Sequence, residues 1–236
     1  MIKLLDILEN KILVPRRSRE ERSKNYQIAL QKQVQQYIKD GGKGDLDLNS
    51  TPITSLPSGL SVGGNLNLSY CEKLTSLPSS LSVGGYLNLF SSNITSLPSD
   101  LTVGGYLNLG YTKITSLPSD LSVGGGLNLE GSEITSLPSG LTVGGNLNLY
   151  DTLITSLPPD LKVKGNLDLY SNDITSLPSD LSVGGDLDLK YTEITSLPPD
   201  LSVGGYLDLR NTPLSKSHTK EQIRQMAPGV KGNIYM

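Results

Sequence analysis

One short phrase recurs along this chain. Ile-Thr-Ser-Leu-Pro begins at Ile53, Ile94, Ile114, Ile134, Ile154, Ile174 and Ile194, with a Leu variant beginning at Leu74. The step is 20 residues except for one step of 21, between Ile53 and Leu74. A full copy reads I-T-S-L-P-x-x-L-x-V-G-G-x-L-x-L-x-x-T-x. Self-similarity at such a period marks an array in which each unit buries its apolar face only against its neighbours. Twenty residues leave no space for a full helix in each coil. A globular core of ordinary aromatic mass is excluded as well, because the chain has no Trp and one Phe among 236 residues.

The spacing dictates local structure. Leu-x-Leu has period 2, so it predicts a short strand with both leucines on one face. A Gly-Gly pair precedes it and marks a sharp bend. The two glycines are not equivalent. The first is replaced by lysine at Lys43, Lys164 and Lys231, whereas the second, from Gly44 to Gly232, never changes. That invariance predicts either a positive φ or no space for a Cβ. Leu-Pro then sets an extended, non-helical return.

The frame Leu-x-x-Leu-Pro … Leu-x-Leu-x-x-Thr-x-Ile resembles the 20-residue leucine-rich repeats of bacterial effector proteins, over residues 44–213. The Gly-Gly version is also similar to repeats in phage sequences. The resemblance implies an α/β solenoid, with a parallel sheet of about ten short strands on a concave face. It departs from the general consensus in two ways. Gly replaces the first consensus Leu. The ladder Asn is mostly Thr or Ser (Thr51, Ser92, Thr112, Ser132, Thr152, Thr192, Thr212), with Asn only at Asn172 and Cys at Cys71.

Both ends of an array need covers. Residues 1–43 read as a helical N-terminal cap, with a short helix over 2–9 and a longer one over 18–39. Ser18 is its N-cap, Tyr26, Leu30, Val34, Tyr37 and Ile38 its apolar stripe, and Gly41-Gly42 its stop. At the other end, Val230-Lys231-Gly232-Asn233-Ile234-Tyr235-Met236 aligns with Val163-Lys164-Gly165-Asn166-Leu167-Asp168-Leu169. Residues 214–236 are therefore a capping coil in which a helix, Thr219 to Met226, stands in for Ile-Thr-Ser-Leu-Pro. The solenoid proper spans 44–213.

Function must be sought where the copies differ. Residues flanking the two leucines face outward. The middle one is nearly constant, running from Asp47 through Asn88 and Asn108 to Asp168, Asp188 and Asp208. The outer columns vary: Tyr86, Tyr106 and Tyr206 on one side, Phe90, Tyr150, Tyr170, Lys190 and Arg210 on the other, then Tyr70, Tyr111 and Tyr191 one position on. Eight of the 11 tyrosines lie in these columns. Exposed tyrosine gives contact area at low entropic cost, so these side chains form a candidate protein-binding face. The Asn/Asp column reads as a ladder of side-chain hydrogen bonds between coils. Lys190 and Arg210 are placed to offset the charge at its acidic end.

Other chemistries find little support. Cys71 reads as a buried thiol and His218 as a capping residue, with no accompanying base. No catalytic residue, cofactor or metal ligand is assigned. Glu20 and Glu21 interleave with Arg16, Arg17, Arg19, Arg22 and Lys24, so a solvated helix face is expected and nucleic acid is not. No segment reaches membrane-span length and no signal peptide is evident, so a cytoplasmic protein is expected. The leading expectation is a non-enzymatic protein-binding scaffold. Basic ends (ten Lys/Arg against five Asp/Glu in residues 1–43) on an acidic middle (six against seventeen in 44–213) leave end-to-end assembly into oligomers or filaments as the alternative. Repeated Thr-Ser pairs, such as Thr95-Ser96, prompt a third reading, ice or surface-lattice binding, although they are expected to alternate with core residues.

Overall fold

A computed structural model describes residues 19–236. The helix expected over residues 2–9 and the Ser18 cap lie outside the described residues. From Leu46 onward the chain winds as a solenoid. Its Leu-x-Leu segments form a parallel sheet of ten strands, from Leu46–Asp47 to Ile234–Tyr235, stacked in sequence order. Like pairs with like: Leu46 faces Leu66, Leu127 faces Leu147, and Leu207 faces Ile234. Each coil contributes its Ile, its leucines and its Val to one continuous core, in which Ile134, Leu127 and Leu129 have no exposure. The buried columns are the identical ones, because each side chain packs on its own copy above and below.

A second sheet was not expected. Eight further strands, Ser61–Val62 to Ser202–Val203, form a parallel sheet of their own, extended by a bridge from Val203 to Val230. The signal was present in Leu60-x-Val62, a second period-2 pair with both apolar residues buried. The Gly-Gly corner links the two sheets within each coil.

That corner answers the question about the invariant glycine. A Cβ on Gly125 would lie 2.9 Å from the carbonyl carbon and oxygen of Gly105 in the preceding coil. Adjacent backbones touch there, and only hydrogen fits. Gly44, in the first coil, has open space around it but a φ of +79°. One column thus needs glycine for two different reasons.

The opposite corner has a different solution. Two residues after the second Leu of each strand, the backbone enters the left-handed region, with φ between +52° and +63° at Ser50, Tyr70, Ser91, Tyr111, Gly131, Asp151, Ser171, Tyr191 and Asn211. The following Thr or Ser closes the turn. Its hydroxyl, buried in all of them but the Thr51 coil, donates to the carbonyl of that Leu at 2.6–2.9 Å in seven coils. Asn172 does more. Its amide donates to Leu149 and Leu169 carbonyls, and its oxygen accepts from the backbone and hydroxyl of Thr152. Asn therefore ties two coils, while Thr and Ser serve one. In the Cys71 coil the buried thiol donates to the Leu48 carbonyl at 3.1 Å.

Helix α1, Arg19–Lys39, covers the first coil. Leu30 and Val34 are buried, and Tyr26 and Tyr37 pack against the same core. Gln31 donates to the Ser55 carbonyl at 3.0 Å, and the Gln27 amide bonds the Pro52 carbonyl. Ile38 departs from expectation. It is exposed, one position round the helix from Tyr37, whose hydroxyl lies 2.7 and 2.8 Å from the carbonyls of Gly42 and Gly44.

The C-terminal coil carries two helices rather than one: α2, Pro213–Ser217, and α3, Lys220–Met226. Thr212, the last ladder hydroxyl, also caps α2. Thr219 and Gln222 form a reciprocal capping box on α3. Arg224 then reaches forward to the carbonyls of Val230 and Gly232 at 2.5 and 2.8 Å. Among the described residues no helix is long and apolar enough to cross a membrane.

Candidate binding face

The register places all the outward-predicted side chains on one face of the ten-stranded sheet. Their roles differ by column. The middle Asn/Asp column is structural. In nine coils its Oδ1 accepts the backbone N–H two residues on, at 2.9–3.2 Å, as Asn88 does from Phe90 and Asp188 from Lys190. The expected ladder between coils is largely absent. The one side-chain bond between neighbouring members runs from Asn128 to Asn108, at 3.0 Å. These carboxamides and carboxylates hold the chain as it leaves the strand and enters the left-handed corner.

Bonds between coils come instead from the column on the Gly-Gly side. Asp45, Asn65, Asn146, Asn166 and Asp186 each accept the backbone N–H of the same position in the next coil, at 2.7–2.9 Å. Tyr86, Tyr106 and Gly126 interrupt that rule. The two rings pack together with centroids 5.4 Å apart, and Tyr106 covers Gly126, where a Cβ would fall 2.8 Å from a ring carbon. Burial, with Tyr86 and Glu130 nearby, pushes the Tyr106 hydroxyl up to about 12.

The remaining rings line the left-handed corner in two clusters. Phe90 sits between Tyr70 and Tyr111, at 5.7 and 5.3 Å. Tyr170 sits between Tyr150 and Tyr191, at 5.0 and 5.2 Å. These are edge or tilted contacts of the kind aromatic quadrupoles favour. Gly131 gives Tyr111 its seat, as a Cβ there would lie 2.7 Å from the ring. Glycine in the variable columns is thus matched to a neighbouring aromatic. Tyr70 and Tyr191 belong with the face as fully as Tyr111 does, and Tyr235 extends it by packing on Tyr206. Beside Tyr70, at the 21-residue step, an open cleft of about 370 Å³ is lined by Ser50, Thr51, Pro52, Glu72 and Lys73.

Tyr70, Tyr111 and Tyr191 stand out. Each combines a left-handed backbone with high exposure, 53%, 48% and 53%. That conformation costs a residue other than glycine about 1–2 kcal/mol, and bulky residues adopt it rarely. Other coils fill the position with Ser, Gly, Asp or Asn, which tolerate it better. The mixture of Gly, Asn, Asp and Ser down one column was the sequence signal for this corner.

Charge is arranged unevenly on the face. At the C-terminal end Lys190 lies 2.9 Å from Asp188 and 3.9 Å from Asp208, and Arg210 forks onto Asp208 at 2.6–3.2 Å. The expected compensation is present. Burial opposes ionisation of Asp208, but the Arg210 hydrogen bonds outweigh it and hold the carboxyl below its usual range. Asp168 goes the other way: burial and the charges of Asp188 and Glu130 raise it, against Lys190. Tyr111 donates to Glu130 at 3.1 Å, and that bond and charge raise its hydroxyl.

The Thr-Ser pairs differ from expectation. They do not alternate with core. Both residues of Thr95-Ser96 and its copies are exposed between a buried Ile and a buried Leu. They form two adjacent hydroxyl columns on a side of the coil that carries no aromatic cluster. Burial raises the Cys71 thiol, the opposite of the shift that makes a reactive thiolate. His218 faces the Ser217 hydroxyl at 2.9 Å beyond α2.

No family model and no curated protein matches the sequence. Among solved structures, the chain is similar to a leucine-rich-repeat protein of Leptospira interrogans. Identity is 22% and the TM-score 0.46, over 79% of this chain and 59% of that one. The chain thus spans less than two thirds of that structure. The frame is set by this chain's own geometry: stacked parallel Leu-x-Leu strands, each followed by a hydroxyl or amide ladder that closes the turn. The fold is a leucine-rich-repeat solenoid.

Proposed function

We propose that this solenoid is a non-enzymatic scaffold that holds a protein partner on the outer face of its ten-stranded sheet. One observation carries the reading. Three tyrosines occupy a backbone conformation that disfavours them, at the most exposed corner of the face. Packing alone does not account for them, since Ser50, Ser91 and Ser171 make the same turn. Strained residues of this kind mark sites of function more often than of stability. Rigid rings on a rigid sheet also lose little entropy when a partner binds.

The test is capture from an extract of the source cell with the native chain and with a variant carrying Tyr70→Ser, Tyr111→Ser and Tyr191→Ser. The reading expects partners to be lost while far-UV circular dichroism is kept. An unchanged set of captured proteins would reject it. The competing reading, assembly through the ends, expects a sedimentation coefficient that grows with concentration.

A further inference from the structure

Resting on the binding reading above, we infer that the partner presents lysine or arginine side chains to the middle of the face, around Tyr111, Glu130 and Tyr150. The solenoid contains its own template for that contact. At the C-terminal end, Lys190 lies 5.2 Å from the centre of the Tyr170 ring while bridging Asp188 and Asp208. One coil on, Arg210 lies 5.8 Å from the Tyr235 ring while forked onto Asp208. In both coils a ring and a carboxylate together hold a cation, and the chain supplies that cation from the column after the second Leu.

The middle coils keep rings but not the cation, and their carboxylates stand in other columns: the middle column there is Asn108, Asn128 and Asn148, and Glu130 and Asp151 supply the acid. The column after the second Leu reads Phe90, Gly110, Glu130, Tyr150 and Tyr170 before it reaches Lys190. No Lys or Arg stands at any outward position of the strands, or at the left-handed corner, from Asp45 to Ser171. Glu130 accepts a hydrogen bond from Tyr111, with no ion pair among the described residues. The exposed Asp151 follows Tyr150 directly, at the same corner as Tyr111. Rings attract cations through their quadrupole, and a neighbouring carboxylate adds directional charge-assisted hydrogen bonds. The outward strand positions and the left-handed corner carry eight Asp/Glu against two Lys/Arg, an excess of acid that steers a basic segment toward the face.

The probes are three synthetic 12-residue peptides: one alternating Arg and Ser, one with Gln for Arg, and one with Glu for Arg. Each is titrated calorimetrically into the full chain at low and moderate salt. The Arg peptide is expected to bind at least about tenfold tighter than the Gln peptide, with the gap shrinking as salt rises. Glu130→Gln with Asp151→Asn is expected to weaken the Arg peptide about tenfold. Asp120→Asn with Asp200→Asn removes the same charge from exposed turns away from the sheet face, and is expected to change it less than about twofold. Equal binding of the Arg and Gln peptides, no binding of the Arg peptide, or equal losses in the two charge variants would overturn the inference. Concentration-dependent self-association that Glu130→Gln with Asp151→Asn abolishes would also overturn it, by making a second copy the occupant. A variant with Tyr111→Ser and Tyr150→Ser separates the two proposals. If it binds the Arg peptide like the native chain, the aromatic reading itself fails. If binding depends on the rings but not on the peptide's charge, only the cationic inference fails.

Discussion

Each coil turns sharply at two corners, and the two follow opposite rules. At the Gly-Gly corner neighbouring backbones touch, so the side chain is eliminated and the column cannot vary. At the left-handed corner the side chain points to solvent, so the column accepts Ser, Asp, Asn, Gly or Tyr. The first corner costs sequence freedom and yields close stacking. The second costs conformational energy wherever the residue is not glycine but leaves a position where the sequence can change. Invariance along this chain therefore reports packing. Variation reports exposure, and it is there that a proposed partner would have to be read.

The sharpest way to break this comparison is to add a side chain in the middle of the invariant column and at its first member. Gly125→Val drives a branched Cβ into the Gly105 backbone. It is expected to cost about 3 kcal/mol or more in urea unfolding. Gly44→Ala, in open space at φ +79°, should cost only about 1–2 kcal/mol, from the backbone alone. Equal losses would mean that one constraint governs the whole column. The next largest effect concerns the hydroxyl ladder. Asn172→Ala strands the Leu169 carbonyl and the Thr152 backbone N–H, while the Thr152 hydroxyl still serves the Leu149 carbonyl, for about 2–3 kcal/mol. Thr192→Val leaves the Leu189 carbonyl still accepting the Thr192 backbone N–H and should cost about 1 kcal/mol. A smaller loss at Asn172 than at Thr192 would deny it any role in tying coils together.

Much of this was legible because stacking writes itself into the sequence. The inward columns repeat, so Leu66, Leu68 and their copies located the long sheet. The same logic exposed the disguised last strand at Ile234. The second sheet was hidden by its place: Ser61–Val62 sits beside a Gly-Gly pair that reads as a turn. The middle Asn/Asp column was misread because Asn88 bonds a neighbour two residues away, not the next coil, and one sequence column cannot separate those partners. The candidate face was visible as a set of variable tyrosines. The strain at Tyr70 was not, because Tyr in a mixed column looks like drift until its φ is known.

The left-handed corner gives a smaller and opposite effect. Tyr191→Asn removes a ring contact with Tyr170 at 5.2 Å, of the kind measured at about 0.5–1.5 kcal/mol. It also relieves a conformation that Asn tolerates better than Tyr. The two nearly cancel, so stability should move by less than about 1 kcal/mol while partner capture falls. A loss as large as that of Gly125→Val would make this corner as structural as the other.

The smallest effect is electrostatic, and its sign differs along the face. Asp208 has a lowered pKa, so its stabilising contribution is present above the ordinary carboxylate value and is lost as pH falls through the folded one. Asp168 has a raised pKa, because burial and its acidic neighbours outweigh Lys190. Its ionised form is the costly one, so its contribution improves as pH falls through the folded value and worsens as pH rises through it. Carboxyl NMR titration should find Asp168 ionising above Asp208. Arg210→Met should move Asp208 upward, since burial then acts without its main counterweight. If Asp168 titrates at or below the ordinary carboxylate value, the middle of the face holds its negative charge easily, and the contrast between a self-neutralised end and an unneutralised centre is lost.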